Sequence, residues 1–76
     1  MNKQRRKQLE KSVLHLNDAL EIVRDVLEQE QEAFNNMPDG IRDGERGEEM
    51  QGYVDTLEEH VNTIEEAISA IEEIVG

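Results

Sequence analysis

The chain has 76 residues, with 8 Lys and Arg against 19 Asp and Glu, for a formal net charge of −11. That length holds one small domain and excludes a two-domain enzyme. The lack of cysteine excludes a disulfide framework, a thiolate zinc site and a cysteine nucleophile.

One Phe and one Tyr are too few for a base-stacking platform. No apolar run approaches the roughly 18 residues of a transmembrane helix. The basic start, Met1–Lys11, is not followed by the apolar core of a signal peptide.

The first segment carries Leu9, Val13, Leu16, Leu20, Val23, Leu27 and Phe34 at alternating steps of four and three, with Glu30 in the one polar place. This is a heptad with apolar a and d positions, and it predicts a helix over about residues 3–35. The stretch that follows, Asn35 to Gly47, contains Pro38, Gly40, Gly44 and Gly47. Pro38 lacks a backbone donor and the glycines are spaced as turn residues, so a loop is expected over about 36–44. Asp39 or Asp43 is the expected cap of the helix after it.

The second helix, over about 45–75, repeats the same steps through Met50, Val54, Leu57, Val61, Ile64, Ile68, Ile71 and Val75. Folded back as an antiparallel hairpin, the two helices match in one register. Leu9 meets Val75, Leu16 meets Ile68, Val23 meets Val61, and Phe34 meets Met50. In every layer the paired residue numbers add to 84, and only Glu30–Val54 is not apolar on both sides. The fold class is therefore all-α, a long coiled-coil-like two-helix hairpin forming a single domain.

The two flanks of the seam differ. The e positions (Glu10, Asn17, Arg24, Gln31 and Gln51, Glu58, Glu65, Glu72) are all polar. The g positions are Ser12, Ala19, Val26 and Ala33 facing Ile74, Ala67, His60 and Tyr53, and Ile22 and Ala70 at c widen that side. An apolar stripe three columns wide suits a bundle rather than a two-helix seam. A chain this small without disulfide or metal rarely has a sufficient core of its own. The expectation is a homodimeric four-helix bundle with Ala19, Ile22, Val26, Tyr53, His60, Ala67 and Ile74 at the oligomer interface. The rival is that this flank is kept for a different protein.

Charge is also segregated along the chain. Residues 1–11 carry net +4 and residues 12–76 carry net −15. Glu58-Glu59, Glu65-Glu66 and Glu72-Glu73 recur every seven residues, about 10 Å apart at roughly 1.5 Å of rise per residue. Arg24 is expected opposite Glu58, and the basic N-terminus beside Glu72 and Glu73 at the negative dipole end of the second helix. The acidic face is either a solvated surface or an imitation of nucleic-acid phosphates. Its charge density is about three-fifths that of a duplex with one charge per ~1.7 Å. Direct nucleic-acid binding by the chain itself is not expected.

No catalytic constellation emerges. Reading Asp39 to Met50 as a calcium loop fails at Ile41 and Met50, which stand where oxygen ligands are required. His15 and His60 fall at different heights and cannot share a metal. No phosphate loop is present, and Glu30 lies near the loop end, within reach of water, Arg42 or Arg46. No enzyme activity, cofactor or metal is expected. In the loop, Met37 and Ile41 either tuck against Phe34 and Met50 or form, with Arg42 and Arg46, a tip that meets a partner.

The run Glu30-Gln31-Glu32-Ala33-Phe34-Asn35-Asn36-Met37-Pro38-Asp39-Gly40, with Gly44-Glu45-Arg46-Gly47-Glu48 after it, resembles small acidic helical proteins of phages and mobile elements of Gram-positive bacteria. The resemblance covers roughly residues 28–75. It implies a mobile-element origin and a host-cell cytoplasmic setting, and it transfers no functional residues.

By analogy with small phage proteins, the expected function is an inhibitor or adaptor that binds a bacterial host protein. Contact would come through the acidic face (Glu58, Glu59, Glu65, Glu66, Glu72, Glu73) or the loop tip (Met37, Ile41, Arg42, Arg46). The alternatives are a self-assembling scaffold and an oligomeric sponge for an anionic small ligand held by Arg42 and Arg46. No membrane association is expected.

Overall fold

The computed structural model describes residues 1–76 and is helical almost throughout. Helix α1 spans Lys3–Asn35, α2 is one turn over Asp39–Arg42, and α3 spans Glu45–Val75. Helices α1 and α3 pack along their length as a hairpin with Cα extents of 58 × 14 × 13 Å. The radius of gyration is 17.3 Å, against about 11 Å for a compact domain of this length.

The start of α1 is fixed by Asn2, whose side-chain oxygen accepts a hydrogen bond from the Arg5 N–H at 2.8 Å. Its end is fixed by Pro38. The Asn36 and Met37 N–H groups close the last turn on the Glu32 and Phe34 carbonyls at 3.0 and 3.2 Å, and the proline then carries the chain away.

Every residue assigned to a or d from the heptad, in both long helices, is buried or half-buried. Leu20 clusters with Val61 and Ile68, and Ile64 packs against them. The spacing of those three on α3 is that of a hole receiving a knob. Even so, the buried apolar core is only Leu20, Val54, Val61 and Ile68.

The connection, expected as a loop over about 36–44, contains a short turn of helix. The Pro38 carbonyl accepts from the Ile41 and Arg42 N–H groups at 3.0 and 2.9 Å, which winds Asp39–Arg42 into α2. Neither aspartate caps a helix with its side chain. Asp39 lies inside the first turn of α2 and Asp43 is that helix's C-terminal cap, while Gly44 stands at the start of α3 without a side-chain cap. The Gly44 carbonyl takes the Glu48 N–H at 3.1 Å instead.

Gly47 is not a turn residue either. It is buried inside α3. No residue has a positive φ, so its value is space rather than backbone freedom. The main chain of Arg42 crosses so close that an added methyl would overlap the Arg42 carbonyl.

Gly52 contrasts with it: it is exposed in the same helix and its Cβ would meet open space. Gly52→Ala should therefore raise stability by about 1 kcal/mol through helix propensity. Gly47→Ala should lower the melting temperature by displacing α2. Thermal unfolding of both variants at one protein concentration checks the pair, and equal effects would contradict the packing described here.

Candidate protein-interaction surfaces

The seam divides the hairpin surface into two unlike sides. On one side lie the c and g positions. From α1 these are His15, Ala19, Ile22, Val26, Gln29 and Ala33, with Ser12 at the free end. From α3 they are Tyr53, Thr56, His60, Thr63, Ala67 and Ala70, with Ile74 at the free end. Of the 19 acidic residues, only Glu49, next to the loop, occupies a c or g position.

Ile22, Val26, Tyr53 and Ile74 stand exposed on this side, at 64%, 42%, 54% and 52% of their free surface. A groove of about 300 Å³ runs between Val26, Glu30, Tyr53, Thr56 and Leu57. It brings apolar residues of both helices side by side on this flank.

Tyr53 marks the loop end of that face. Its hydroxyl donates to a Glu49 carboxylate oxygen at 2.8 Å. That bond, the charge of Glu49, partial desolvation and the charge of Glu30 together hold its pKa above the ordinary tyrosine value. A second, smaller cavity of about 170 Å³ lies between Glu30, Arg46, Glu49, Met50 and Tyr53. Glu30 is half-buried at the edge of both cavities, and neither Arg42 nor Arg46 forms an ion pair with it.

The opposite side carries the glutamate doublets. Glu58, Glu59, Glu66, Glu72 and Glu73 are exposed, and Glu65 is half-buried. Arg24 pairs with Glu65 rather than with the expected Glu58. The reason is the tilt of side chains toward the N-terminus of their own helix. In an antiparallel pair, Arg24 and Glu65 lean toward each other, whereas Glu58 leans away.

The only other ion pair is Arg42 with Asp39, one turn apart at the tip. The basic N-terminal residues form none, so the expected pairing with Glu72 and Glu73 is absent. The first turn of α1 holds no acid to complement its helix dipole, and its last turn holds no base.

At the tip, Met37 and Arg42 are half-buried, while Ile41 and Arg46 are exposed. Ile41 keeps 44% of its surface. Of the two apolar tip residues, Met37 is therefore the one partly withdrawn from solvent and Ile41 is not. Leu14, outside the seam, is 66% exposed at a b position on the side away from the apolar flank. Nothing in its spacing distinguishes it, and the structure gives it no partner.

No three His, Asp or Glu side chains converge as a metal-binding group. No helix is long and apolar enough to cross a membrane. Comparison with family models, curated proteins and solved structures found no match to this chain.

The Arg24–Glu65 pair is half-exposed, so its coupling should be modest. A double-mutant cycle with Arg24→Ala and Glu65→Ala should return about 0.2–1 kcal/mol. The same cycle with Glu58→Ala should return close to zero. Coupling to Glu58 in place of Glu65 would contradict the side-chain tilt argument.

Proposed function

We propose that this protein is a non-enzymatic acidic interaction module. In this reading it docks its glutamate-lined side on a basic surface of a bacterial host protein, as a phage-type inhibitor or adaptor. The observation that carries the reading is the separation of charge. Acids are nearly absent from one side of the hairpin, and only two of the 19 are held in ion pairs. The rest present unneutralised carboxylates at a helical repeat, a field that steers and binds a cationic partner. The mobile-element resemblance supplies the host-protein context. Where the partner's basic surface is itself a nucleic-acid site, the doublets stand in for phosphates.

The sponge alternative draws little support from the tip. Arg42 is tied to Asp39, and Arg46 lies beside Glu30 and Glu49, surroundings that repel an anion.

The test is capture from a bacterial lysate with the native chain and with a variant carrying Glu58→Lys, Glu59→Lys, Glu66→Lys and Glu73→Lys. Glu65 is left in place to keep its bond to Arg24. The variant should keep its helical circular dichroism and lose partners that the native chain retains at low salt and releases at high salt. Release of those partners by duplex DNA would mark a nucleic-acid site. Undiminished capture by the variant would refute the acidic-face reading.

A further inference from the structure

We infer that the acid-poor flank is covered by a second copy of this chain, docked antiparallel so that the two loops lie at opposite ends of a four-helix bundle. The inference is independent of the acidic-face reading, since it uses the other side of the hairpin.

Surface area gives the first argument. A compact monomer of 8.8 kDa exposes about 4,800 Å². This chain exposes 5812 Å², an excess of about 1,000 Å². A standard interface buries about 800 Å² per partner. Residues 8–33 of α1 run about 38 Å at roughly 1.5 Å per residue, and two helices about 10 Å wide give a flank of about 750 Å². The uncovered area and the available face therefore match the requirement of one partner.

Charge chooses the occupant and its direction. The free end of the hairpin holds the net +4 of residues 1–11 and only Glu72 and Glu73 beside it. The loop end, residues 28–49, carries net −6. The basic residues at the start of α1 have no acidic partner within their own chain. A second copy docked antiparallel places them against the acidic loop end of its neighbour. A parallel copy would instead bring two net −6 ends together.

Side-chain size agrees with one antiparallel register. With the two-fold axis between Ala19 and Ile22, Ile22 of each copy faces Ala19 of the other. Val26 then faces His15, His60 faces Ala67, and Tyr53 faces Ile74, so the two contacts that involve alanine each set a large residue against a small one. Glu49, the one acid at a c or g position, falls next to Arg5 of the second copy.

The chain has no cysteine, and a Cβ at Gly40 meets nothing within 4 Å, so Gly40→Cys accepts a spin label without disturbance. Sedimentation equilibrium should give a dimer at tens of micromolar. Pulsed dipolar spectroscopy of the labelled chain should give a separation of about 50–60 Å, from the helical rise on either side of the axis. A separation below about 30 Å would mean a parallel dimer, and a monomer would leave no partner on the flank; either overturns the inference.

A second variant keeps the test independent of labelling. Tyr53→Cys with Ile74→Cys should oxidise to a closed covalent dimer, because the two positions are about 31 Å apart within one hairpin at roughly 1.5 Å per residue. Failure to cross-link, or a ladder of polymers, counts against the register. Ala19→Glu, exposed in the single hairpin, should weaken association at least about 100-fold by setting like charges against each other near the axis.

Discussion

The structure depends on a geometric limit: two helices packed side by side can enclose only a few side chains. Most a and d residues meet the facing helix on one side and solvent on the flanks. That is why a seam of fifteen apolar residues and Glu30 yields only Leu20, Val54, Val61 and Ile68 as buried core. The hydrophobic driving force scales with area removed from water, so half-buried positions return part of what full burial would. The extra column of Ile22, Val26, Tyr53 and Ile74 answers this limit. It adds apolar surface where a third and fourth helix would complete the enclosure.

Charge placement follows from the same limit. A flank that is to be covered cannot carry carboxylates, because an unpaired buried charge is costly. The acids are displaced to the e, b and f positions and to the tip. In the proposed dimer the acidic side is partly a by-product of keeping the other side clean, and in the proposed function it is the surface that meets a cationic partner. Arg24–Glu65 barely changes this picture, since one exposed pair contributes little and neutralises one carboxylate.

The hairpin and its sidedness were legible in the sequence because they arise from periodicity. A step of three and four repeated through eight layers leaves one antiparallel register, and the burial of each seam residue agrees with it. What periodicity does not encode was missed. The turn of helix at Asp39–Arg42 depends on the Pro38 carbonyl collecting two N–H groups, which no residue type announces. Gly47 read as a turn residue because glycine signals turns, whereas its role is to let the Arg42 main chain cross a helix. Height alone places Arg24 opposite Glu58, and the tilt of side chains moves its bond by a heptad to Glu65. The exposure of Ile41 was equally invisible, since Met37 offers the same apolar character four residues before it.

The central claim is that one hairpin is an incomplete folding unit whose apolar flank needs a second chain. Thermal unfolding followed by circular dichroism across a protein concentration range from about 1 to about 200 μM tests it directly, because association makes the melting temperature concentration-dependent. The account predicts a melting temperature that rises by several degrees over that range. A melting temperature independent of concentration would contradict it.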